Sequence, residues 1–421
     1  MEPTNFFPNR AIPVDSAIAI LLERIPEPKG SMLLPLLEAL HRIAGENRDA
    51  RIALPPFDNS PLDGFALRHA DSAGAGRDKP IFLRVVETIY AGDLPQKSLA
   101  PGECARVMTG AVLPEGATCV IPLEDTDNQP DTVGIFHALA AHQNYRFHGE
   151  VMRQGQPILR KGERITGAHV GLLAAQGFTE IPVFARPRVG ILSTGSELMS
   201  GPEPLIPGKI YDSNRYLLAA RVLALGAEPV WTSTIADDPA LIAHAVEELL
   251  ETCDCIISTG GVSVGAHDYM PQVGSYLAAE PLFRRVQMKP GGWVTALYKD
   301  TKIILCLSGN PFAAAMSFDL LAGPMLRRLA GAAPVLLQHI PGVLQEPFPK
   351  ANPQGRFLYA RREGKEVFLP QAGHVSGSLA SLIGCNCIVQ IPPGKGPLNP
   401  GDKVDLIPLS DGPVSPSCHP L

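Results

Sequence analysis

This 421-residue chain contains neither of the two familiar phosphate-binding signatures. It has no GxxxxGKS/T and no GxGxxG, which disfavours a P-loop NTPase and a dinucleotide-binding Rossmann enzyme. Positive charge is scarce as well. Thirty-six lysines and arginines against 42 acids leave a net charge of −6, so nothing advertises a partner such as nucleic acid or a membrane surface. Any anionic ligand must then be held by local donors, not by the overall field. No apolar run reaches membrane-spanning length, and Ala17–Leu22 is short and lacks a basic lead-in. That argues against a signal peptide and makes the cytoplasm the expected location. Fixed-period repeats and low-complexity tracts are also missing.

What is present is ordinary globular composition, 45% hydrophobic and 19% charged, over a length that suggests roughly three domains. The 42 prolines and 40 glycines are dispersed, as in a chain of many turns and short strands. Only the segment after Ser410 reads as a flexible tail. Two of the cysteine pairings are CxC, Cys253/Cys255 and Cys385/Cys387. Both lie in apolar segments, where alternation puts each pair on one strand face, and both are read as buried small hydrophobes.

Along the chain, Val14–Ile25 has helical spacing with Asp15 or Ser16 as the cap, and Leu33–Ile43 is a second helical stretch. From Arg51 a turn-dense segment begins, and Ile81–Tyr145 alternates between Gly and Pro breaks, as a small β domain does. Gly149–Phe184 is mixed, with a helix over Ala168–Gly177. Between Arg188 and Arg328 the pattern changes to strand, glycine loop and helix, repeated three times as VGILSTGSEL, CIISTGGVSVG and IILCLSGNPFAAAMSF. Apolar strands alternating with helices predict a parallel sheet covered on both faces. Ligands of such sheets sit at the carboxyl ends of the strands, where all three glycine loops fall. After Pro334 short strands and turns predict a small β-barrel or sandwich.

The segment CIISTGGVSVGAHDY, from Cys255 to Tyr269, carries the most chemistry. Glycines let backbone approach an anion, N–H groups at the next helix start can hold it, and Asp268 can hold the accompanying metal. Three such loops with Ser, Thr or Asn donors point to an anion site. Of the loop acids Asp58, Asp63, Glu197, Asp237, Asp238 and Asp268, Glu197 and Asp268 stand apart, because each follows a TG-type strand end. Lys289, Arg356 and Arg361 are the best local cations for an oxyanion. GVSVG formally matches a serine-hydrolase elbow around Ser263, with His339 or His374 in the right order. An elbow, however, places its serine directly off the strand, and here Thr259 and Gly260 already turn the chain. His137 and His142 are five apart, wrong for one helical face, and read as surface.

The segments PPFDNSPLDGFAL, VMTGAVLPEGATCVIPLEDT, RPRVGILSTGSEL, GKIYDSN, ISTGGVSVGAHDY, MKPGG, LSGNPFAA and SGSLASLIGCN occur in this order from Pro55 to Asn386. Together they resemble the molybdopterin molybdenumtransferase (MoeA) family, which includes the gephyrin E domain. The resemblance implies a multi-domain α/β plus β fold in an elongated homodimer. Residues 1–50 and 148–186 would form a mixed helical and extended dimerisation domain, part of 27–45 packing on the α/β domain. Residues 51–147 would form a β domain, 187–332 a central α/β domain like that of molybdopterin adenylyltransferase, and 333–411 a C-terminal β-barrel, leaving 412–421 as tail.

The reaction it implies is Mg²⁺-assisted insertion of molybdate into adenylylated molybdopterin, with AMP leaving. Asp268 and Glu197 would organise the metal and phosphate end, with Asp238 as a further metal ligand. Asp63 and Thr109 would complete the cleft from the partner subunit. Thr194, Gly195, Gly260, Gly261, Ser263, Gly265, Gly309 and Asn310 would line the nucleotide and pterin pocket, and Lys289, Arg356 and Ser376 the molybdate pocket. Protein partners would be the adenylyltransferase and recipient molybdoenzymes or their chaperones. Four positions depart from the family pattern. Gly292 and Trp293 stand where a second lysine and a proline are usual, Val151 replaces the acid of GED, and Ser308 makes PGNP into SGNP. They leave room for a specialised paralogue, one that inserts tungstate or binds the cofactor without inserting metal.

Overall fold

A computed structural model of the chain describes residues 10–28, 30–262, 269–350, 354–370 and 379–409. They fall into two compact units. One combines Met1–Glu46, Lys161–Thr166 and Glu180–Leu421, and the other combines Asn47–Arg160 and Gly167–Thr179.

The larger unit is organised by a six-stranded sheet. Its order is Glu228–Trp231, Arg188–Ser193, Cys255–Thr259, Lys302–Leu307, Trp293–Lys299 and Glu280–Arg285. The first four strands run parallel, as the recurring strand–loop–helix pattern predicts. The last two are antiparallel, so the sheet is mixed. The connection between Lys299 and Lys302 is a two-residue hairpin, too short for a crossover, and it forces the reversal. Period-two alternation divides the central strands between two cores. Ile257, Ile303 and Leu305 face one layer with helices Val14–Glu23 and Ser213–Ala224. Ile256, Ile304 and Cys306 face the other with helix Pro239–Thr252. Burial on both faces is why these strands read as unbroken apolar runs.

C-terminal to this sheet, strands Ile340–Leu344, Glu366–Phe368, Arg356–Glu363, Cys387–Ile391 and Lys403–Pro408 close a barrel. Its interior is filled by Leu358, Ala360, Val389 and Leu406, among others. Phe357 and Tyr359 point the other way and join the first α/β core. The barrel is therefore apolar inside and on one outer flank. In the smaller unit a five-stranded sheet orders Cys119–Pro122, Gly64–Leu67, Glu103–Val107, Ile81–Ile89 and Thr132–Ile135. Among the described residues no helix is long and apolar enough to cross a membrane.

Three local expectations are corrected. Leu33–Ile43 is not a helix: Met32–Pro35 is a strand paired with Glu180–Val183, followed by turns. Pro35 interrupts a helical ladder, and the pairing partner lies far away in sequence, where local spacing carries no information. Neither Asp15 nor Ser16 caps helix Val14–Glu23; Pro13 occupies the N-cap without a side-chain bond, and Asp15 sits in the first turn. The CxC pairs do not share a face. Cys253 ends a helix before its strand starts, so Cys253 and Cys255 enter different cores, as do Cys385 and Cys387. All four are buried, and burial pushes the Cys387 thiol up to about 12, so these sulfurs are packing groups and poor nucleophiles.

The helices that flank the site start at explicit caps. Asp212 accepts from the Arg215 N–H, Asn310 from the Ala313 N–H, and Asp238 from the N–H groups of Ala240 and Leu241 at 2.8 and 3.1 Å. Proline follows directly after Asn310 and Asp238, where its missing N–H costs nothing. Asp238→Ala is expected to cost about 1 kcal/mol of stability and Asp238→Asn only a few tenths, since Asn caps as well as Asp. Chemical denaturation midpoints of the two variants measure the difference.

Candidate active site

The three glycine loops meet at the carboxyl ends of the parallel strands and enclose a cleft of about 520 Å³. Backbone bonds stitch them together. The Thr194 N–H donates to Thr259 O at 2.9 Å, and the Gly260 N–H donates to Leu307 O at 3.2 Å. The loops touch so closely that a side chain could not intervene. A Cβ on Gly260, where φ is +97°, would lie 2.2 Å from the Thr194 carbonyl oxygen. Polar side chains complete the ties. Thr259 donates its hydroxyl to Ser308 O at 3.0 Å. The Asn214 amide donates to Thr259 Oγ1 and to Gly309 O, both at 2.8 Å.

That amide leaves Asn214 Oδ1 buried without a hydrogen-bond partner among the described residues, and Asp212 Oδ2 is in the same state. Buried acceptors are normally satisfied, and one left open costs about 1–3 kcal/mol. Both residues line the cleft, although these two oxygens are themselves enclosed. Asp212 Oδ1 is already engaged by the Ser193 hydroxyl and the Arg215 N–H. Its negative charge is partly balanced by the Arg215 guanidinium, 3.6 Å away.

Thr194, Gly195, Glu197, Gly260, Gly261, Gly309 and Asn310 all line this one cleft. Asp237 joins them, accepting from the Ser196 N–H and hydroxyl at 3.1 and 3.3 Å. Its neighbour Asp238 does not line the cleft; its Oδ1 is spent on the helix cap. Glu197 and Asp237 thus place two carboxylates beside neutral donors. Ser263, Gly265 and Asp268 lie outside the described residues, as does Ser376. Strand Cys255–Thr259 ends four residues before Ser263, which does not suit an elbow, whose serine comes directly off the strand.

Lys289 and Arg356 come together elsewhere in the larger unit, across a backbone bridge. The Lys289 N–H donates to Gly355 O, and the Phe357 N–H returns to Lys289 O at 2.9 Å. Arg356 stacks over Phe348, and its Nε is buried without a hydrogen-bond partner among the described residues. Desolvation draws its pKa down, the response of a cation short of counter-charge. Arg361 instead pairs with Glu363 and stacks on Phe368.

In the smaller unit Asp63 Oδ1 accepts the Thr109 N–H at 2.7 Å and its hydroxyl at 2.8 Å. The backbone bond and then the hydroxyl bond hold the Asp63 carboxyl below its ordinary pKa. The pair is preassembled and anionic.

The departures have structural counterparts. A Cβ on Gly292 would meet the carbonyl oxygens of Met288 and Val286 at 2.6 and 2.7 Å, so this backbone excludes a lysine there. Trp293 carries the Arg285 guanidinium 4.2 Å from its ring centroid. Ser308 Oγ accepts the Asn310 N–H at 3.3 Å, and Val151 is 70% exposed.

Asn214, Asp212 and Asp237 were not singled out for the site from sequence. The Asp-Ser-Asn run of GKIYDSN is a helix-start signature, and its capping role masked its position in the cleft.

Comparison with known proteins accounts for nearly the whole chain. Residues 12–177 match the MoeA N-terminal region (domain I and II), 190–328 a probable molybdopterin binding domain, and 341–409 the MoeA C-terminal region (domain IV). The molybdopterin molybdenumtransferase of Staphylococcus aureus strain Mu50 is 36% identical over 402 residues, covering 94% of this chain and 95% of the relative. That of Bacillus subtilis strain 168 is 34% identical over 409 residues, covering 94% of each. The crystal structure of a molybdopterin biosynthesis moeA protein from Pyrococcus horikoshii OT3 superposes with a TM-score of 0.82 at 28% identity, covering 95% of this chain and all of that one. With a fold, a cleft and a sequence that agree over this length, the chain belongs to the molybdopterin molybdenumtransferase family.

Proposed function

We propose that this protein inserts molybdate into adenylylated molybdopterin with release of AMP, a Mg²⁺-assisted transferase step of molybdenum cofactor biosynthesis. The observation that carries the reading is the convergence of three glycine loops, tied by Asn214, with the carboxylates of Glu197 and Asp237 on one cleft.

The donor set suits Mg²⁺. The ion favours one or two carboxylates together with water and substrate phosphate, not a protein cage. Among the described residues no three His, Cys, Asp or Glu side chains gather as a cage, while Glu197 and Asp237 share the cleft. Glu197, Asp237 and Asp268 are the residues that would hold it. When bound, Mg²⁺ neutralises phosphate charge and polarises the phosphoanhydride.

The chain itself supplies position and charge. Backbone around Gly260 and Gly309 lets phosphate approach closely, and the Asn214 amide holds the loops in place. Lys289 and Arg356, with Ser376, hold the oxyanion at a separate place until the dithiolene sulfurs capture it. No covalent nucleophile is required, because orienting two substrates and stabilising developing charge accounts for large accelerations. The Asp63–Thr109 pair adds a preformed anion, contributed by a second copy in the homodimer that the resemblance implies. Molybdopterin adenylyltransferase as supplier and molybdoenzymes as recipients complete the reading. Seven described cysteines are free thiols, in keeping with a reducing cytoplasm.

The test is AMP release from adenylylated molybdopterin under a molybdate titration, with the metallated cofactor as product. Glu197→Gln is expected to lower the rate about 100-fold or more at fixed Mg²⁺, and Asp268→Asn to act in the same direction. A parent that releases no AMP while binding substrate would overturn the insertion reading. For Lys289→Ala, the molybdate concentration for half-maximal rate should rise about tenfold while the nucleotide requirement holds, one charge-assisted bond being lost. Equal loss for both would remove Lys289 from the oxyanion pocket. Gly292→Lys should not improve turnover. Instead it should destabilise the protein by about 1–3 kcal/mol, read as a lowered denaturation midpoint, since the backbone has no room for the Cβ.

A further inference from the structure

A second cavity, of about 330 Å³, lies in the larger unit and shares no lining residue with the glycine-loop cleft. A single water needs roughly 10–15 Å³ by the same measure, so the space is that of a small organic molecule. Its wall carries Arg42, Arg164, Arg186 and Arg327, and among the described residues no aspartate or glutamate lines it. Four arginines lining one cavity are unexpected in a chain of net charge −6.

Their ordinary uses do not account for them. None of the four is in an ion pair among the described residues, whereas the neighbouring Arg221 and Arg328 each have one. Two helices, Ser213–Ala224 and Gly323–Leu329, end at the cavity, and their carbonyls could attract cations. Those carbonyls are already capped by backbone. The N–H groups of Leu225, Gly226 and Ala227 serve the first helix, and those of Ala330, Gly331 and Ala332 the second. Of the four side chains, among the described residues, only that of Arg42 donates a hydrogen bond, to Phe184 O at 2.9 Å. Burial, and then the like charge of Arg186, draw the Arg42 pKa down. Arg42 thus faces the like charge of Arg186, whereas the charge of Asp319, off the cavity wall, offsets part of the desolvation of Arg327. Phe184, Leu225 and Leu337 add an apolar wall.

We propose that this cavity is a second anion site, which takes a small organic phosphate: its phosphate held by the fork geometry of Arg164, Arg186 and Arg327, its carbon skeleton against the apolar wall. Guanidinium matches phosphate oxygens two at a time, which lysine does not. The site is independent of the transferase reading, since no residue is shared.

Calorimetric titration of the full chain at physiological ionic strength, with fructose 1,6-bisphosphate and with inorganic pyrophosphate as probes, tests it. The parent is expected to bind the sugar bisphosphate. Arg186→Glu and Arg327→Gln should each weaken it about tenfold or more, while Glu197→Gln in the cleft leaves it unchanged. Arg186 and Arg164 are exposed, so Arg164→Ala serves as a second probe of the same wall if either first variant melts below the parent. Three results would overturn the proposal: no binding by the parent, arginine variants that bind as the parent does, or binding of pyrophosphate alone, which would mean an adventitious ion only.

Discussion

The Asn214 amide holds the cleft together. Its two protons go to the Thr259 hydroxyl oxygen and the Gly309 carbonyl, bonding one helix start to two of the three strand ends. Asp212, the cap of that helix, reaches the first strand end through Ser193. Three loops from distant sequence are therefore fixed by one short segment, Asp212–Asn214. A backbone cradle tied at three strand ends follows, with Asn214 Oδ1 and Asp212 Oδ2 enclosed within it.

Charge is handled locally throughout. In the cleft, backbone and neutral side chains stand beside three carboxylates, Glu197, Asp212 and Asp237, and among the described residues no lysine or arginine lines it. The arginine-lined cavity is the reverse, with no acid on its wall among the described residues, and Lys289 and Arg356 are neighbours across a backbone bridge.

Two of the family departures, Gly292 and Trp293, sit together at one turn, whereas Ser308 lies on the cleft and Val151 belongs to the smaller unit. Gly292 follows a cis Lys289–Pro290 peptide in a turn whose carbonyls leave no room for a side chain, and Trp293, next along, is occupied by Arg285. A lysine could not simply be put back. Ser308 supplies a hydroxyl acceptor for the Asn310 N–H, a bond that proline in its place could not make.

Much was legible in the sequence because it was local. The three strand–glycine–helix segments announced a parallel sheet with a site at its strand ends, since an apolar run covered on both faces and a glycine turn leave direct traces. The ordered motifs named the family. Other features depended on partners far away in the chain. The segment Met32–Pro35 is a strand only because Glu180–Val183 lies beside it, and Cys253 and Cys255 separate only because the strand starts between them and a helix cap. Between the adjacent acids Asp237 and Asp238, the sequence offers no choice; the helix takes one and leaves the other to the cleft. Composition and motif determined the fold class and the chemistry available. Which residues line the cleft, and which arginines gather at one cavity, was decided by packing, because burial and proximity are properties of the folded chain alone.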